Sequence, residues 1–280
     1  MKKYVLTSFC ILYLALIFPF TSFMKNRPFV EKLGYVPRHE ILLLVSADQK
    51  QIMSAILVGK VLFYFGGLFE KAMNRIYTPP AFSGMQSMIE AAVKLDPYNM
   101  DAYYFAQAVM VWDMKQVRAA NDLLEFGMKY RDWDWYLPYF AGFNAGYFLN
   151  DYRTAATYFK RVGDLTGNEL SMNLAGRYMY ESGQTDMAID YLTAMEKSAQ
   201  NAAIRRSFQV RLLAFKGVKL IEAARDEYVK KYGGKPVSIE RLHERGFLKE
   251  IPTDPYGGTF FIDEQGRVRS TSKFAFSAKK

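Results

Sequence analysis

Three segments, MKQVRAANDLL (114–124), LNDYRTAATYF (149–159) and ESGQTDMAIDYL (181–192), share one layout and decide how the middle of the chain is read. Each places an alanine (Ala120, Ala155, Ala188) just after a polar turn, and a large apolar residue (Leu124, Phe159, Leu192) four positions later. Residues four apart share one helix face, so each pair is aimed at a neighbouring helix. The alanines lie 35 and 33 residues apart. A period of about 20–50 residues marks stacked supersecondary units, each unable to bury its apolar face alone. Twelve positions before the alanines stand Ala108, Phe143 and Gly176; the bulk of Phe143 loosens the register of the middle unit. The segment MIEAAVKLDPYN (88–99) sets Ala92 and Pro97 where the second helix and closing proline of an earlier, degenerate unit would be.

Over roughly residues 82–200 this pattern resembles the tetratricopeptide repeat, with three fairly clear units after the degenerate one. The resemblance implies a mainly α fold, a helical solenoid of helix pairs, in which Ala120, Ala155, Ala188, Leu124, Phe159 and Leu192 pack unit on unit. It also implies that the first helix of each unit lines a concave groove. In that frame Trp112, Tyr147 and Tyr180 share one groove position, Asn144 and Arg177 a second, and Phe105, Phe140 and Asn173 a third. Aromatic and arginine side chains dominate binding hot spots, so the groove suits a protein segment. Its occupant is either a partner or a stretch of this chain within residues 25–80, and the remaining aromatics of the region are read as solenoid core.

Outward to the N-terminus, Met1-Lys2-Lys3 precedes YVLTSFCILYLALIFPFTSF (4–23), a run without charge. A helix needs about 20 apolar residues to cross a bilayer. No small-x-small motif closes the run, which favours an uncleaved signal anchor over a cleaved signal peptide; a buried N-terminal helix is the third reading. Lys2 and Lys3 on one side and Lys25, Arg27 and Lys32 on the other leave the positive-inside rule undecided, and the short N-terminal flank favours the bulk lying outside. A second apolar stretch (52–69) has Lys60 at its centre and Gly59, Gly66 and Gly67 within it, and is expected to be a buried helix of the soluble part.

Outward to the C-terminus, residues 201–234 form a long helix or helix pair stopped by Gly233-Gly234. Residues 235–280 are expected to be a separate small module: a short helix capped by Ser238, a TDPYGG turn (253–258), and strands at 259–262 and 267–270 around the turn 263–266. The stretch from Ile251 to Gly266 resembles the C-terminal region of type II secretion pseudopilins, although the chain lacks the prepilin-peptidase motif. The tail of exported bacterial tetratricopeptide proteins is similar too. Asp254, Asp263 and Glu264 are read as turn and solvated acids, with a calcium site as the alternative. The resulting plan is 1–24 anchor or signal, 25–81 helical N-terminal region, 82–200 repeats, 201–234 helix, 235–280 module.

Composition narrows the function. The net charge is +9, of which +8 falls in residues 201–280, a solvated basic face or one drawn to anionic lipid or an acidic partner. One cysteine, Cys10, and two histidines, His39 and His243, exclude a disulfide framework, a Cys/His zinc site and a c-type haem. No nucleophile elbow, phosphate loop or zincin motif is present, so neither catalysis nor a cofactor, a metal or a small-molecule substrate is expected. No motif for nucleic acid is visible. The expected function is a membrane-anchored scaffold or adaptor in the bacterial cell envelope, single-pass in the inner membrane through residues 4–23, with its bulk in the periplasm or as a cleaved periplasmic form. Its partner would be a protein, and its task the support of secretion or pilus-like filament assembly. The alternatives are an accessory subunit of a membrane transporter and a hydrolase using clefted carboxylates, Asp132 and Asp134 being read as inter-repeat loop.

Overall fold

The computed structural model describes residues 2–26, 33–35, 37–76 and 78–274, without the side chains of residues 2–7, 10 and 26. Arg27 and Lys32, part of the charge balance around the N-terminal run, lie outside the described residues. The protein is mainly helical, and the chain divides into two compact units, 1–106 and 107–280.

The first unit holds α1 (Lys2–Asn26), α2 (His39–Ser46), α3 (Lys50–Met73), α4 (Phe82–Leu95) and α5 (Met100–Phe105). Met85, Met88, Ile89, Ala92 and Val93 of α4 are fully buried, and α4 packs on α2, α3 and α5. Asn99 ties the unit together: its side-chain oxygen accepts from Asp101 N at the start of α5, while its amide donates to the Ser54 hydroxyl of α3. Ser54 in turn donates to the Ala92 carbonyl at 2.9 Å. Tyr103 closes the Pro97 turn by donating to its carbonyl.

Helix α3 departs from the expectation of a buried helix. Ser54, Leu57, Val58, Val61, Tyr64 and Leu68 are buried, spaced at one, three and four residues along one face. Ile52, Ile56, Leu62, Phe63 and Phe69 are exposed, since among the described residues no other helix covers that side. By length and composition α3 is apolar enough to cross a membrane, with a mean hydropathy of 1.9. In α1 the apolar side chains from Ile11 to Met24 are largely exposed as well.

A π-helical turn (Ala106–Met110) spans the division. The second unit then runs α6 (Val117–Met128), α7 (Tyr136–Tyr147), α8 (Tyr152–Thr166), α9 (Glu169–Glu181), α10 (Thr185–Ser198), α11 (Ala202–Tyr232), α12 (Ile239–Glu244), β1 (Phe260–Ile262) and β2 (Val268–Ser270). From α6 to α11 each helix packs on the next. Ala120, Ala155 and Ala188 are each the fourth residue of their helix, α6, α8 and α10, and all three are fully buried. Leu124, Phe159 and Leu192, one turn on, are buried too. Polar side chains start the helices: Asp151 accepts from Thr154 N, Asn168 from Ser171 N, and Asn201 from Ala203 N.

The tail is part of the core and not a separate module. Ile239, Leu242, Leu248, Tyr256, Phe260, Val268 and Phe274 join one cluster with Phe208, Phe215, Val218 and Ile221 of α11 and with Tyr180 of α9. A two-stranded hairpin is at best marginal alone, so its apolar residues need the α11 surface beneath them. The TDPYGG turn is the hinge of this packing. Asp254 is buried and accepts hydrogen bonds from Tyr256 N and from the hydroxyls of Ser270 and Ser272. A Cβ on Gly258 would meet Ser272 N at 2.6 Å, so only glycine allows that approach.

Candidate functional site

Helix α9 carries a stripe Leu170, Asn173, Leu174, Arg177, Tyr180 and Glu181, spaced at one, three and four residues as one helix face requires. Two adjoining clefts lie along it. The larger, ≈ 460 Å³, is lined on α9 by Glu169, Leu170, Asn173, Leu174 and Arg177, and opposite by Ser207, Arg211, Tyr256 and Phe274. The smaller, ≈ 230 Å³, continues past Arg177 to Tyr180 and Glu181, with Phe261, Arg269, Ser270, Lys273 and Phe274 from the tail. Arg177 and Phe274 belong to both.

The polar groups of the two clefts differ in how they are satisfied. Asn173 is nine-tenths buried and donates towards the Glu169 carbonyl and Ser207, while its side-chain oxygen has no partner among the described residues. Arg211 donates to the Phe274 carbonyl and lies over the Tyr256 ring, yet its buried Nε has no partner among the described residues. Burial, and then the neighbouring Arg177 charge, lowers the Arg211 pKa. On the other side Arg269 pairs with Glu181 and Asp263. Each cleft carries a single carboxylate, Glu169 or Glu181.

Of the eight groove residues marked in the sequence, four are closed off. Phe105 is buried in the first unit against Phe65. Asn144 is fully buried in an amide network, donating to Gln107 and Asn121 at 2.8 Å each and accepting from Gln107 at 3.0 Å. Asn173 forms the floor of the larger cleft. Tyr180 is 5% exposed, because the tail covers it. Its ring stacks on Phe215 and meets the edge of Phe274, its hydroxyl donates to the Val268 carbonyl, and burial pushes its pKa up to about 12.

The remaining four stay accessible. Trp112 and Tyr147, 48% and 62% exposed, are joined by Phe148, whose ring centroid is 4.9 Å from each. Phe143 stacks on Tyr147; Phe143 and Phe148 are half-buried, so the four rings form one cluster whose exposed members are Trp112 and Tyr147. Phe140 is half-buried against Tyr136 and Tyr139, and Arg177 is half-buried between the two clefts. The expected ladder is therefore two rungs long.

Sequence reasoning missed Ser207, Arg211, Tyr256, Lys273 and Phe274, which come from α11 and the tail and have no place in a repeat frame. The excess positive charge of residues 201–280 was the one signal pointing to them. Of the three acids in the calcium alternative, two are engaged elsewhere, Asp254 by serines and Asp263 by Arg267 and Arg269. Among the described residues no group of three or more His, Cys, Asp or Glu is placed to hold a metal ion. Asp134 accepts from Arg131 and from Tyr136 N at the start of α7, and exposed His243 contacts the Leu248 carbonyl. In comparisons with protein-family models and with curated proteins, nothing matches this chain.

Proposed function

We propose that the protein is a membrane-associated helical scaffold that receives a segment of another protein on the second unit. The observation that carries this reading is the aromatic cluster in which exposed Trp112 and Tyr147 are joined by half-buried Phe143 and Phe148. Large aromatic side chains left in water next to one another are a costly arrangement for a free surface and a common one for a recognition surface. Neither cleft brings two carboxylates together, which favours binding over hydrolysis. The repeat spacing supports a tetratricopeptide-like solenoid as the frame of that surface, and the pseudopilin-like tail supports a role near secretion or filament assembly by analogy. The apolar α1 supports anchoring in an inner membrane with the bulk in the periplasm.

Photocrosslinking in native membranes from residue 113, an exposed position beside Trp112, compared between wild type and Trp112→Ala/Tyr147→Ala, tests the reading. The variant should keep the wild-type melting curve and lose the captured partner; capture that persists would overturn the aromatic surface. The exposed face of α3 favours a second reading, an accessory subunit held to a transporter inside the membrane. That reading expects copurification that is indifferent to the aromatic variant.

A further inference from the structure

Arg177, Arg211 and Lys273 line the two adjoining clefts, and among the described residues none of them has a carboxylate partner. The neighbouring cation Arg269, by contrast, has its charge met by Glu181 and Asp263. Of the three, Arg177 and Arg211 are partly buried and Lys273 is exposed. Arg211 has its Nε buried without an acceptor, and Arg177 is close enough to repel it. Buried donors are rarely left unmade, and two guanidinium groups facing one cleft gain most from an anion set between them. Around these cations the walls are apolar or aromatic: Leu170 and Leu174 from α9, with Tyr256, Phe261 and Phe274 from the tail.

From this juxtaposition we infer that the two clefts form one binding track for an acidic segment of a partner protein, with one side-chain carboxylate between Arg177 and Arg211, a second beside Lys273, and an apolar side chain against Phe274. The inference rests on the reading of the protein as a receiver of protein segments, and names the chemistry of the segment. A nucleic acid or a bare phosphate would satisfy the cations equally but leaves Leu170, Leu174 and Phe274 without a counterpart. The acidic segment also complements the net +8 charge of residues 201–280.

The test uses the full chain in detergent micelles and fluorescently labelled, acetylated and amidated heptapeptides in which Glu, Gln or Lys alternates with Leu. Amidation leaves side-chain carboxylates as the only acids. The Glu peptide should bind, with affinity falling as salt rises, and the Gln and Lys peptides should bind at least tenfold more weakly. Arg177→Gln and Lys273→Gln, neither of which is buried in the core, should each weaken the Glu peptide about tenfold, a loss of about 1.4 kcal/mol, at an unchanged melting temperature. Equal binding of the Glu and Gln peptides, no binding of the Glu peptide, or indifference to both variants overturns the acidic track. Displacement of the Glu peptide by millimolar inorganic phosphate, at constant ionic strength, overturns it in favour of a phosphate site. The parent reading falls separately, when crosslinked capture survives Trp112→Ala/Tyr147→Ala; capture lost there but kept in Arg177→Gln/Lys273→Gln sinks the track alone.

Discussion

Gly176→Ala should destabilise the protein, although alanine is the better helix former. In an exposed helix interior the change would gain about 0.5–1 kcal/mol. Gly176, however, sits where α9 crosses α10, and a Cβ there would lie 2.9 Å from both Cγ and Cδ1 of Leu192. That is well inside the roughly 3.5–4.0 Å of ordinary carbon–carbon contact. Leu192 is fully buried and cannot swing into solvent. Overpacking of this kind costs about 1–3 kcal/mol, so the net effect is a loss of about 1 kcal/mol. In a folding unit of about 150–250 residues this lowers the melting temperature by about 2–4 °C. The assay is thermal unfolding followed by circular dichroism, in wild type and in a Leu192→Ala background. Leu192→Ala alone should cost about 2–5 kcal/mol. In its presence the clash is gone, and Gly176→Ala should become stabilising by up to about 1 kcal/mol. A stabilising effect of equal size in both backgrounds would refute the crossing as the reason for the glycine.

Asn144→Leu strips Gln107 and Asn121 of their shared partner in a site without water access, and should cost about 3 kcal/mol by denaturant melting; a loss below about 1 kcal/mol would mean the amide network is dispensable. Glu222 accepts from Thr185, and burial raises its carboxyl pKa above the ordinary 4.5. The folded state therefore favours the protonated acid, and stability present below pH 4.5 is lost as pH rises through the folded value. Glu222→Gln should match wild type near pH 4 and melt higher near pH 7; an identical difference at both pH values would contradict the burial argument.

Much of the helical layout was legible because local signals suffice for it. Ala120, Ala155 and Ala188 are one-turn markers, and Asp151, Asn168, Asn201 and Ser238 cap helices with their own side chains. The hairpin 260–262/268–270 and its turn follow from Asp263 and Gly266 in the same local way. The groove was only half legible. Nothing in the period separates Tyr180, covered by the tail, from Tyr147 at the equivalent position, because the covering residues Val268 and Phe274 lie about 90 residues away.

By itself, then, the sequence determined the mainly helical class, the phase of the buried alanines, the apolar N-terminal helix and the concentration of positive charge near the C-terminus, since each depends on neighbours within a few turns. Tertiary structure alone decided that the tail is core, that α3 buries one face and exposes the other, and that Arg177 meets Arg211 and Lys273. Those outcomes depend on which surfaces of distant segments remain to be covered once the local helices have formed, and that is a property of packing, which no window of sequence contains.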